Sequence, residues 1–158
     1  MHLHILDKKD LFYGLLSFAL ATGIRAIPEF LSPKYPVGYD IVMYAYQAPR
    51  LLCDVKVVPE LLKGAPLLYL LIRMLLMVSE LNPLFLFKII SPIMYGFLLL
   101  SFYTFLRRTL GWRESRSLLC TIICALQVPA LRLSWDLLRN ELGLTMFFLY
   151  MAVVTGYR

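Results

Sequence analysis

Ala65-Pro66-Leu67-Leu68-Tyr69-Leu70-Leu71-Ile72-Arg73-Met74-Leu75-Leu76-Met77-Val78-Ser79-Glu80-Leu81 is the stretch on which the architecture turns. Its hydropathy is that of a membrane span, and its length approaches the ~20 residues that cross a bilayer. Arg73, however, sits at its middle. An arginine at that depth costs ~2.5–3.5 kcal/mol on the insertion scale, a penalty that a long apolar run can absorb. The same segment can equally lie along the interface, with Arg73 and Glu80 turned toward water.

Four further apolar runs surround it, at residues 11–27, 83–106, 117–131 and 142–155. The chain is 60% hydrophobic and 16% charged, against roughly 25% charged for an average soluble protein. Its mean hydropathy is +0.72. The expected fold is all-α, a polytopic transmembrane bundle of about four spans with interfacial juxtamembrane helices, forming one module over residues 1–158. The first run ends at Arg25, which snorkels to the headgroups, and Pro28 stops the helix. It is long and lacks a small-residue cleavage site, so it is read as an anchor that stays. Residues 117–131 are interrupted by Gln127 and Pro129.

The net charge of +6 raises nucleic acid as a partner. Lys and Arg are scattered singly or in short groups between apolar runs, whereas phosphate-backbone binding wants a continuous soluble basic face, so no nucleic-acid partner is expected. Topology explains these charges better. Arg107, Arg108, Arg113 and Arg116 mark the cytoplasmic side. If Lys8 and Lys9 are also inside, an even number of spans separates the two groups, and residues 28–82 form an external loop with 65–81 as an interfacial helix. If 65–81 crosses, the N-terminus is outside and Lys34, Arg50, Lys56 and Lys63 are inside. Charge alone leaves both standing. Cys53, Cys120 and Cys124 form no metal-ligand pattern, and His2 and His4 have no third histidine to complete a site.

The loop 28–64 carries prolines at 28, 33, 36, 49 and 59. Gly38 breaks the chain before residues 40–47, and Pro49 stops it after them, which predicts a short helix with Asp40 and Tyr44 on one face. The order of features is an apolar helix, Gly38-Tyr39-Asp40 with Tyr44, Gly64-Ala65-Pro66-Leu67-Leu68-Tyr69, Lys88-Ile89-Ile90-Ser91-Pro92 and the basic Arg107-Arg108-Thr109-Leu110-Gly111. This order resembles the N-terminal module of GT-C membrane glycosyltransferases, especially relatives of the protein mannosyltransferases and lipid-linked aminoarabinose transferases.

The resemblance implies transfer of a sugar from a polyprenyl-phosphate donor to a lipid or protein acceptor, at the outer face of the plasma membrane. It implies an acidic residue in the first external loop and juxtamembrane helices before the second span, which favours the first topology. Asp40 is then either a general base toward an acceptor hydroxyl or a ligand to a divalent metal; no other cofactor is implied. A base helps because the attacking oxygen must lose its proton as the sugar–phosphate bond breaks. The competing structural role for Asp40 is a helix-cap or turn carboxylate. Asp136 lies in the second external loop, where the family often has another acid, and pairing with Arg139 is its structural alternative. Arg132 and Arg139 are candidates to grip a lipid phosphate, since a guanidinium presents a planar fork to phosphate oxygens, with interfacial snorkelling as the alternative; Arg73 and Lys63, near the same surface, are candidates to neutralise a leaving phosphate. Tyr39 and Tyr44 are candidates to line the acceptor pocket, with anchoring in the aromatic belt as the alternative.

Two departures matter. Asp40 is a single acid, and the family's full enzymes complete their sites with later helices. The competing expectation is therefore a non-catalytic membrane subunit, or a fragment whose site a further membrane subunit completes. A transporter piece is a third class, disfavoured because no span shows a clear ionisable stripe.

Overall fold

The computed structural model describes residues 8–32, 34–47, 50, 66–79, 81–136 and 138–155. Among them the chain is helical, with no strand. The helices are α1 (Lys8–Leu31), α2 (Tyr39–Gln47), α3 (Pro66–Ser79), α4 (Pro83–Arg108), α5 (Glu114–Leu126), α6 (Val128–Asp136) and α7 (Leu138–Thr155).

α4 is the axis of the bundle and packs most extensively on α1 and α7. Its start is well specified. The Asn82 side chain accepts from the Leu84 N–H at 2.9 Å, and Pro83 occupies the first turn, where a missing N–H costs nothing. Its 26 residues make a rod of about 39 Å, longer than the ~30 Å hydrocarbon core of a bilayer. α1 buries a stripe that begins with the small residues Gly14, Ser17 and Ala21. Small residues on that face let two helices approach closely. The approach is tightest at Gly96, where an added Cβ would collide with Thr22 and lie 2.8 Å from the Phe18 ring.

Polar contacts at the two ends of α4 set the direction of its neighbours. Near its start, Lys88 donates to the Ser32 carbonyl just past the end of α1. At its far end, Arg107 Nε bonds Asp10 Oδ1 at 2.6 Å, so α1 runs antiparallel to α4. Arg107 Nη2 also bonds Glu114 Oε1 at 2.8 Å, which seats the start of α5 at that same end. The Thr109 and Thr155 hydroxyls meet at 2.8 Å, while Leu138 packs with Leu86 and Phe87, so α7 runs parallel to α4.

The run expected as one span over 117–131 is two helices. α5 ends at Leu126, and Gln127 adopts an extended conformation (φ −72, ψ 133) before α6 begins. Pro129 is the physical cause: in an unbroken helix its N–H would serve the Ala125 carbonyl, and proline has none. The Tyr95 hydroxyl of α4 donates to that carbonyl instead, at 2.9 Å.

α3 has 14 residues, about 21 Å, too short to cross a bilayer core. It buries Leu68, Ile72 and Leu76 against α2, α4 and α7, and leaves Leu70, Met74 and Val78 exposed. The expected first span, 11–27, is longer than read: α1 starts at Lys8 and continues through Pro28 to Leu31. Among the described residues two helices, α1 and α4, are long and apolar enough to cross a membrane, so the expected four spans are not all met by length and hydropathy. α7 matches the expected fourth run at its apolar end, but its first turn carries Arg139, Asn140 and Glu141.

Candidate functional site

The loop carrying Asp40 is held by a buried ion pair in the last turns of α1. Arg25 and Glu29, one turn apart, meet at 2.7 Å (Nη1 to Oε1), with side chains 0% and 4% exposed. Both hold the same residue. The Val37 N–H donates to Glu29 Oε1 and Oε2 at 3.2 and 3.0 Å, and Arg25 Nη2 donates to the Val37 carbonyl at 3.1 Å. Two charged groups withdrawn from water need further hydrogen bonds, and the Val37 N–H and carbonyl supply some of them, while Arg25 Nε has no partner among the described residues. The same arrangement explains why α1 runs past Pro28. Its last turn brings Glu29 onto Arg25.

Gly38 follows at φ 118, a conformation that residues with a Cβ rarely adopt. It turns the clamped chain directly into α2. Asp40 falls in the first turn of that helix, half-buried, where a carboxylate complements the N-terminal end of the helix dipole. The expected 40–47 helix is present as Tyr39–Gln47. Asp40 interacts electrostatically with Tyr44, one turn on, and Arg139 from the start of α7 acts on the same hydroxyl. Burial first, then Asp40, push the Tyr44 hydroxyl above the usual tyrosine value, and Arg139 pulls it back.

Tyr69 of α3 completes this corner. Its ring meets that of Tyr44 edge-on at 5.9 Å, and its hydroxyl donates to Gln47 Oε1 at 2.9 Å. Burial and then Tyr44 raise its hydroxyl, with Arg139 opposing them. Tyr44 also stacks on Phe87 at 6.5 Å.

Asp40, Tyr44 and Arg139 are thus brought to one end of the bundle, with Tyr69 added to the set that sequence singled out. Arg73 is half-buried on α3, one turn beyond Tyr69, and Arg132 is exposed on α6. Asp136 closes α6, but its side chain lies outside the described residues, as do the side chain of Tyr39 and the whole of Lys63. Among the described residues no three His, Cys, Asp or Glu side chains converge.

Three charged residues escaped the sequence reading. Arg25 does not snorkel; it is fully buried. Glu29 is its partner, and the Arg-x-x-x-Glu spacing was a visible signal obscured by Pro28 between them. Glu141, in the first turn of α7, is 0% exposed, and neither carboxylate oxygen has a hydrogen-bond partner among the described residues. Arg25 interacts with Glu141 as well as with Glu29. The helices do bury ionisable groups, contrary to the expectation that no span carries such a stripe. No protein-family model matches the chain, and no curated protein or solved structure matches it either.

Proposed function

We propose that the chain is a membrane-embedded glycosyltransferase module of GT-C type, which transfers a sugar from a polyprenyl-phosphate donor to a lipid or protein acceptor. In this reading it is multi-pass in the plasma membrane, with α1, α4, the broken α5–α6 pair and α7 as the four passes and α3 lying at the outer surface. The shortness of α3 and the antiparallel pairing of α1 with α4 support that topology. So do the many large apolar side chains that face outward, such as Phe12, Leu15, Phe97, Leu119, Phe147 and Val154, because a water-exposed surface rarely carries so many.

The observation that carries the reading is the placement of a half-buried Asp40 at a helix start, behind the Arg25–Glu29 clamp and at the same end as Arg139. Asp40 accepts the proton of the acceptor hydroxyl as its oxygen bonds the sugar anomeric carbon and the carbon–oxygen bond to the carrier phosphate breaks. Arg139, with Arg132 and Arg73, offsets the charge that develops on the departing phosphate. Tyr44 and Tyr69 form the wall beside the acid.

The test is Asp40→Asn in the native membrane context, read as sugar transfer from a polyprenyl-phosphate donor. Loss of ~10²–10⁴-fold with unchanged protein level is expected for removal of a general base. Retained turnover assigns Asp40 to capping α2.

A further inference from the structure

The opposite end of the bundle has an unequal charge balance. Lys8, Lys9, Arg107, Arg108, Arg113 and Arg116 gather where α1 begins, α4 ends and α5 begins, and the described carboxylates among them are Asp10 and Glu114. Both of those carboxylates bond Arg107. One guanidinium therefore bonds both acids, and among the described residues neither Lys8 nor Lys9, both exposed, forms an ion pair with them. Between α1 and α5 a cleft of about 400 Å³ opens, lined by Lys8, Lys9, Phe12, Tyr13, Glu114 and Ser115. Its two lysines outnumber its one carboxylate, Glu114, and one turn along α1 lies Phe12, 63% exposed. A cationic mouth directly above an exposed aromatic ring suits a ligand with an anionic head and an apolar tail.

We infer that this cleft binds the phosphodiester headgroup of an anionic phospholipid in the cytoplasmic leaflet, with Lys8 and Lys9 on the phosphate and Phe12 against the acyl chains. The inference rests on the membrane topology proposed above. It does not depend on Asp40 or on any transfer activity. Basic side chains at a membrane surface attract acidic lipids individually, and the bond to Arg107 offsets part of the charge of Glu114, leaving Lys8 and Lys9 to outweigh it. The bond from Arg107 to Asp10 and Glu114 also ties α1, α4 and α5 together beneath the cleft, so an occupied site steadies that end of the bundle.

The experiment titrates the full chain, solubilised in a neutral detergent, with short-chain phosphatidylglycerol, short-chain phosphatidylcholine or inorganic phosphate, and follows thermal unfolding. Phosphatidylglycerol is expected to raise the unfolding temperature, whereas phosphatidylcholine and phosphate leave it nearly unchanged. Lys8→Gln/Lys9→Gln is expected to weaken the phosphatidylglycerol response on the order of tenfold in midpoint concentration. Lys8→Arg/Lys9→Arg should keep it, and so should Lys34→Gln/Arg50→Gln, which removes the same charge elsewhere. Equal shifts with both lipids, an equal shift with phosphate, or an unaltered response in the Lys8→Gln/Lys9→Gln protein each overturns the inference. Failure of the underlying membrane reading shows differently: the chain would then be monodisperse in buffer without detergent or lipid.

Discussion

Glu29 accepts the Val37 N–H with both carboxylate oxygens while Arg25 donates to the carbonyl of the same residue, so the two peptide units flanking Val37 are both held, three residues before Asp40. Removing one member of a buried pair leaves the other uncompensated. Glu29→Ala is expected to destabilise the protein by about 3–5 kcal/mol, measured by denaturant unfolding in micelles. Arg25→Met/Glu29→Leu should recover most of that loss, because well-packed apolar residues often replace such pairs without penalty. It should not recover transfer, since Val37 is no longer held; a double variant with native turnover would show that the clamp does not position Asp40. The two tyrosines of the same corner offer a spectroscopic check. Tyr44 and Tyr69 should ionise late in an alkaline absorbance titration, and Tyr44→Phe should both remove one late step and bring Tyr69 closer to the usual value near 10. Asp40 stood out in the sequence because turn chemistry surrounds it. Arg25 did not, because a cation near the end of an apolar run looks the same whether it faces headgroups or protein.

The break between α5 and α6 is a compensated defect. Pro129 removes the donor that the Ala125 carbonyl requires, and Tyr95 replaces it from a neighbouring helix. Tyr95→Phe is therefore expected to cost about 1–3 kcal/mol, the penalty for orphaning a buried carbonyl. In a Pro129→Ala background the backbone can make its own bond, so the same substitution should cost markedly less. A double-mutant cycle reads this difference directly, and additive costs would separate Tyr95 from the break. Gln127 and Pro129 announced an interruption in the sequence, but the residue that repairs it lies 30 positions away. Elsewhere the hydroxyls of Ser17, Thr104, Thr121 and Thr145 bond carbonyls one turn back in their own helices. Such local bonds leave few polar groups needing an outside partner in apolar surroundings.

Across the bundle, the two ends differ in kind. One gathers Asp40, Tyr44, Tyr69 and Arg139; the other gathers the cations around Arg107. With the cationic end inside, single cysteines introduced as Lys34→Cys and Arg113→Cys, in a chain whose native cysteines are serine, should label oppositely in intact cells. Position 34 is expected to react with an impermeant maleimide, and position 113 only after permeabilisation. Reaction at 113 in intact cells would reverse the orientation. Equal reaction at both before permeabilisation would place both ends of α4 on the same side and remove it as a span.

Composition and apolar periodicity were enough to read an all-helical chain, the long rods at α1 and α4, and the short helix that starts beside Gly38. These follow from local chemistry: segment hydropathy, proline and glycine placement, and capping. Whether residues 65–81 cross could not be read there, because a marginal insertion free energy and a near balance of flanking charges allow either path. What bears on it are contacts far apart in the chain. Lys88 on Ser32 and Arg107 on Asp10 make α1 and α4 antiparallel, with the 14-residue α3 between them in the chain, and this supports the proposed path in which α3 does not cross. Contacts of that kind also decided the burial of Arg25, Glu29 and Glu141. A helix sequence sets the spacing of its charges, but only the neighbours packed on each face determine whether those charges meet lipid, water or each other.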